Sequence, residues 1–228
     1  MNAITTSVYF GALLSIAAYL LGMWISKRFR IGGLPLLIAI VVTIAVLLIF
    51  KIDYSTYNEG AKYISYLLTP ATVSLAIPLY MQFEQLKKNC FAILAGICSG
   101  VLTSLFSVLG ICALFRLSHE EYLTFLPKSI TSAIGMAVSE ELGGYVSITV
   151  AVIILTGLLG NMFAWVFIKI FNIKDPVARG VAIGTSSHAI GTARAMEIGD
   201  VEGAMSSLSI VIAGLLTVIL SPIFAGFY

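Results

Sequence analysis

The chain has 228 residues, 59% hydrophobic and 11% charged, with a mean hydropathy of +1.03 and a formal net charge of +2. That composition excludes an ordinary soluble domain, and so small a charge offers no basic face for nucleic acid. Cys90, Cys98 and Cys112 all lie in one apolar stretch, where they read as buried small hydrophobes rather than a disulfide framework or metal site.

A bilayer core takes about 20 apolar residues of helix. Stretches of that kind fall at roughly 7–26, 33–50, 63–82, 90–115, 145–170 and 203–227. Positive charge follows the first of them instead of preceding it, unlike a signal peptide. Lys27, Arg28 and Arg30 place the first loop in the cytoplasm and the N-terminus outside. The 51–62 loop balances Lys51 and Lys62 against Asp53 and Glu59, as an outer loop can. The third span contains Pro70 and Pro78, each removing a backbone donor, so it is expected to be kinked or broken. Lys87 and Lys88 return the chain to the cytoplasm, and the 116–126 loop, with Glu120 and Glu121, lies outside.

Two segments, 127–144 and 181–200, are too polar for lipid-facing helices, and they resemble each other. Thr131–Gly144 reads TSAIGMAVSEELGG and Ser187–Asp200 reads SHAIGTARAMEIGD. Ala133, Ile134, Gly135, Ala137, Glu141 and Gly143 recur 56 residues later as Ala189, Ile190, Gly191, Ala193, Glu197 and Gly199. If 127–144 crossed the membrane, the loop with Lys169, Lys174 and Arg179 would land outside, against the charge rule; if it dips in and returns, that loop is cytoplasmic. The second alternative makes the copies enter from opposite faces. The expected fold is therefore an all-α polytopic membrane protein, with about six full spans and two re-entrant or broken segments in an inverted-topology repeat. One integral membrane domain, 1–228, is expected, with helices 1–89, a first repeat unit 90–170 and a second 171–228.

A helix that starts inside the membrane turns free N–H groups and a positive dipole end into the protein, where an anion can be held. Ser129 and Thr131 in the first copy, and Thr185, Ser186, Ser187 and His188 in the second, are placed to flank such ends; Thr69 beside Pro70 joins them as a candidate for substrate. Gly135 and Gly191 are the expected breaking positions, with Pro70 and Pro78 in the third span. His188 either carries a coupling proton or bonds neutrally across helices. Glu141 and Glu197 are proton-relay candidates, unless a salt bridge closes each dip; Arg194 either pairs with Glu197 or holds a substrate carboxylate. Lys128 could instead snorkel to the interface. Gly96-x-x-x-Gly100 and Gly180-x-x-x-Gly184 permit close helix approach. No P-loop, HExxH or nucleophile elbow is present, so neither an enzyme activity nor a cofactor is expected.

Three blocks carry a resemblance. Leu67–Tyr80 (LLTPATVSLAIPLY), Pro127–Met136 (PKSITSAIGM) and Gly184–Glu197 (GTSSHAIGTARAME) resemble the signature blocks of the LrgB/CidB family, in the same order and over essentially the whole chain. The resemblance implies a bacterial inner-membrane protein and two accounts of its function. In one, it is antiholin-like and acts with a small holin-like LrgA/CidA-type protein to modulate murein hydrolases, autolysis and programmed cell death. In the other, it transports small carboxylates such as pyruvate, glycolate, glycerate or lactate. The mirrored polar segments favour a carrier, and so short a chain would need that partner, a homodimer or a higher oligomer to enclose a cavity.

Overall fold

The computed structural model describes residues 9–29, 35–74 and 76–228. Eleven helices occur among them: α1 (Phe10–Phe29), α2 (Pro35–Ile49), α3 (Tyr54–Ser65), α4 (Leu68–Ser74), α5 (Ala76–Met81), α6 (Phe83–Phe115), α7 (His119–Phe125), α8 (Ser132–Leu142), α9 (Val146–Ile170), α10 (Pro176–Ile198) and α11 (Asp200–Ala225). Five stretches are long and apolar enough to cross a bilayer: Phe10–Arg28, Tyr54–Met81, Phe83–Phe115, Val146–Ile170 and Asp200–Ala225. Among the described residues, the 15 of α2 reach about 22 Å of the ~30 Å hydrocarbon core. The protein is a polytopic helical membrane protein. The expected span starts at 7 and 33, the cation Arg30 and Leu75 of the third span lie outside the described residues.

The chain divides into two compact units, Met1–Ser74 and Leu75–Tyr228. In the first, the Ser15 hydroxyl donates to Gly11 O (2.8 Å) and shares a hydrogen bond with Tyr57 Oη (2.7 Å), tying α1 to α3. The proline-rich third span is cut into short helices. Pro70 and Pro78 each occupy the third position of one, α4 and α5. A missing N–H costs nothing in a first turn, where it has no helical partner.

The second unit holds the repeats. Along α6, Ile93, Ile97, Val101, Leu105, Val108 and Cys112 are buried, a stripe at the three-to-four spacing of one helix face. A capping box starts α7: Ser118 N–H donates to Glu121 Oε2 (2.7 Å), and Glu121 N–H donates to Ser118 Oγ (3.3 Å). The chain then loses helical structure through 126–131 before α8 begins.

Contacts around Thr124 fix the path of this first polar segment. Tyr145 N–H donates to Thr124 Oγ1 (2.8 Å), and Thr149 Oγ1 donates to Thr124 O (3.0 Å) and Ser139 Oγ (2.7 Å). The chain thus leaves Thr124 and comes back beside it at Tyr145, so the 125–144 segment is a hairpin whose two ends lie together. Gly143, in the left-handed region at φ 88°, ends its returning limb.

The second polar segment is also a hairpin, folded within α10. Asp175 caps its start, accepting from Ala178 N–H (2.9 Å), with a proline in its first turn. On the outgoing limb, a Cβ at Gly180 would lie 2.5 Å from Glu202 O, and one at Gly184 2.3 Å from Ser206 O. On the returning limb, Thr192 Oγ1 and Ser206 Oγ are 2.7 Å apart, and Met196 packs on Gly203. Along α11 the neighbours advance from Glu202 to Ser206 on the outgoing limb, then recede from Ser206 to Gly203. The limbs therefore run in opposite directions, and the turn falls between them at His188.

Candidate functional site

The two hairpins enter from opposite ends of α9 and their tips meet near its middle. The first tip lays Gly135 on Ile153, where a Cβ would be 2.3 Å from Ile153 Cδ1. The second places His188 Nε2 2.9 Å from Ile153 O. A carbonyl only accepts, so this nitrogen carries the proton and donates.

His188 is held in an unusual backbone state, φ 42° and ψ −143°. Five described residues have positive φ, and four of them, Lys51, Arg116, Asn172 and Gly143, terminate helices. In each case the residue and its successor bond back three and five positions, as Arg116 N–H to Ala113 O (3.3 Å) and Leu117 N–H to Cys112 O (3.0 Å). At His188, helix resumes at once. A non-glycine residue held there costs on the order of 1–3 kcal/mol, which its surroundings must offset.

That support comes chiefly from α9. Asn161 Nδ2 donates to Ile190 O (2.9 Å), while Thr192 Oγ1 donates to His188 O (3.0 Å) from within the returning limb. Two glycines leave room for the turn: a Cβ on Gly157 would lie 2.6 Å from His188 Cε1, and one on Gly160 1.7 Å from Ser187 Oγ. The breaks themselves fall at 126–131 and at His188, not at Gly135 and Gly191. Those two glycines serve close packing, Gly135 against Ile153 and Gly191 against Ser187, whose own Cβ would be 2.4 Å from a Cβ added at Gly191.

Beside the tips lies a cleft of about 720 Å³, along α6 and lined by Ser99, Thr103, Ser104, Lys128, Ser129, Thr185 and Ser186 among others. Lys128 Nζ donates to Ser129 Oγ (2.9 Å), and Ser129 Oγ is 3.0 Å from Ser104 Oγ on α6. The Gly96/Gly100 face allows α6 to approach α10: a Cβ on Gly96 would be 3.2 Å from Val181 Cγ1, and one on Gly100 2.5 Å from Thr185 Cγ2. A second cleft, about 630 Å³, lies between α9 and α10, with Phe163, Phe167 and Phe171 on its wall. Lys128, Ala182 and Ser186 line both.

Of the residues singled out in the sequence, Ser129, Thr185 and Ser186 line the first cleft and Ser187 the second. His188 is buried at the tip. Thr131 is the N-cap residue of α8 but makes no side-chain capping bond. Arg194 is ion-paired with Glu197, and neither lines a cleft. Glu141 is exposed near the end of α8, and Thr69 is exposed in the first unit. No cluster of three or more His, Cys, Asp or Glu side chains suited to a metal occurs among the described residues.

Lys128 gains most from the structure, which sets it on the walls of both clefts with its ammonium on Ser129. Ser99, Thr103 and Ser104 were missed as well, though their spacing puts small hydroxyls along one face of an apolar span. The Gly157-x-x-Gly160-Asn161 run was also readable: an amide in mid-span needs a partner, and bare backbone beside it needs something packed close.

Fold and site together define a multi-pass helical membrane protein with a polar cleft beside the tips of two hairpins. The LrgB-like family profile matches residues 15–227, and the chain belongs to that family. It is similar to proteins named antiholin-like protein LrgB. That of Bacillus subtilis (strain 168) is 37% identical over 222 residues, covering 96% of both chains. That of Bacillus cereus (strain B4264) is 36% identical over 227 residues, covering 99% of both, and the Bacillus anthracis (strain CDC 684 / NRRL 3495) protein matches to the same extent. No solved structure matches the chain.

Proposed function

We propose that the protein is a carrier of small carboxylates, of the pyruvate, glycolate, glycerate and lactate class. The observation that carries this reading is the meeting of two hairpin tips at Ile153, beside a hydroxyl-lined cleft. In this reading the sequence repeat is an inverted-topology repeat, since its copies reach the centre from opposite ends of α9. The N-terminal ends of α8 and of the returning limb of α10 both start at the tips, so two positive dipole ends favour an anion there. His188 is the residue assigned to a coupling proton, because it is buried at the tip while Glu141 and Glu197 are exposed. The protein would sit in a bacterial inner membrane, N-terminus outside, working with a small holin-like LrgA/CidA-type partner.

The test is uptake of radiolabelled pyruvate, glycolate and glycerate into proteoliposomes, with and without a proton gradient, for the chain alone and with that partner. Saturable uptake, impaired by Ser187→Val or His188→Ala in protein that still inserts, is expected. No uptake in either format by folded protein would favour the second reading, an antiholin-like regulator. The names of the Bacillus relatives support that alternative. Loss-of-function substitutions would then map to exposed faces that meet the partner, not to the hairpin tips.

A further inference from the structure

We propose that Lys128 and Thr185 together form the anion-holding pair of the cleft, a refinement that rests on the carrier reading above. Two independent observations converge on it. Lys128 lies in the non-helical tip of the first hairpin, and its ammonium has three donors, one of them used on Ser129 Oγ at 2.9 Å. The ion pairs among the described residues are Arg179–Glu202 and Arg194–Glu197; Asp175 lines the same cleft but forms no ion pair with Lys128. A half-buried ammonium with no carboxylate in direct contact is costly unless an anion or water fills the space beside it.

Thr185, on the outgoing limb of the other hairpin, is 6% exposed and lines the same cleft. Its Oγ1 is buried and has no hydrogen-bond partner. Buried hydroxyls are nearly always paired, so an orphan beside a binding cleft marks a place where a ligand completes the bonding. Gly100 explains how the hydroxyl is kept in position, since a Cβ there would press to 2.5 Å from Thr185 Cγ2.

The pair implies a division of labour. Lys128 takes the carboxylate of a monoanion, while Thr185 Oγ1 donates to a second oxygen on the adjacent carbon, the oxo or hydroxyl group of a 2-oxo or 2-hydroxy acid. Each hairpin supplies one member, so a motion that separates the tips would take the site apart.

The test is equilibrium binding of radiolabelled pyruvate and acetate to detergent-purified protein, with uptake measured in parallel. Lys128→Met, close in length and apolar, should weaken binding of both acids by at least about tenfold, as loss of a charge-assisted bond implies. Thr185→Val keeps the shape and removes only an unpaired hydroxyl, so it should fold at least as well as the parent. It should weaken pyruvate binding several-fold and leave acetate, which lacks the second oxygen, unchanged. Pyruvate binding within twofold of the parent in Lys128→Met would overturn the assignment, as would equal losses for both acids in Thr185→Val. Absence of any binding by the parent protein would overturn it too. Binding without uptake would keep the anion pair while removing the carrier reading; uptake that ignores Lys128→Met would do the reverse.

Discussion

The backbone at His188 is affordable only because α9 is cut away beside it, and this makes two glycines as consequential as the histidine. Gly160→Ala would drive a methyl group to 1.7 Å from Ser187 Oγ and 2.3 Å from its Cβ, both on a short, buried side chain. Overpacking of this kind costs about 1–3 kcal/mol, which should appear as a lower Tm in detergent. Ser187→Gly empties that space, so the double variant should regain part of the loss; strictly additive losses would show that the two residues do not collide. At His188 itself, an alanine gives up the bond to Ile153 O, about 1–3 kcal/mol with the void it leaves. Gln retains a donor of similar reach but cannot titrate near neutral pH. His188→Gln should therefore keep most of the parent's Tm while flattening the pH dependence of uptake. An unchanged pH profile in that variant would remove the coupling role and leave the structural one.

Helix pairing depends on the same kind of bare backbone. Gly184 faces Ser206 O, where an added Cβ would come within 2.3 Å of an atom that cannot rotate away. Gly184→Ala should thus separate α10 from α11 at a cost of about 1–3 kcal/mol. Gly110 in α6 makes the contrasting case, with nothing within 4 Å of an added Cβ. There the Gly→Ala change should be neutral or stabilising by up to about 1 kcal/mol, through helix propensity alone. Thermal unfolding of both single variants decides it, and equal losses would contradict the close packing of α10 on α11.

The elements also show what can be read from one chain. The polar hairpins were legible because their residues repeat at a constant offset and break an apolar pattern. The glycine pairs were legible as small-residue faces, although their neighbours were not. Two starts escaped notice despite local signals: Ser118 with Glu121 three residues on opens α7, and Asp175-Pro176 opens α10. Both were hidden in loops assigned by charge. The positions of the breaks, and the arrival of Lys128 and Thr185 on the wall of one cleft, were beyond reach for a different reason. They depend on which residues of α6 and α9 lie across the gap, and such long-range pairings leave no periodicity in the sequence.

At the scale of the whole molecule, the arrangement makes a claim about sidedness that charge alone leaves open. The first hairpin returns to its own end of α9 at Thr124, whereas the second departs from and returns to the other end. One crossing, α9, separates the bases of the two hairpins. The basic loop with Lys169 and Lys174 lies at the second base, so that base should face the cytoplasm and the first should face outside. Glu141 and Asp200 are exposed markers of the two bases. Cysteines placed singly at these positions, in protein whose Cys90, Cys98 and Cys112 have been replaced, can be treated with a membrane-impermeant thiol reagent. Glu141→Cys should react in right-side-out vesicles and Asp200→Cys only in inverted ones. The reversed pattern, with Asp200→Cys reacting in right-side-out vesicles and Glu141→Cys only in inverted ones, would mean that the first segment crosses the membrane after all. The two dipole ends would then no longer converge, and the electrostatic argument for an anion at the centre would go with them.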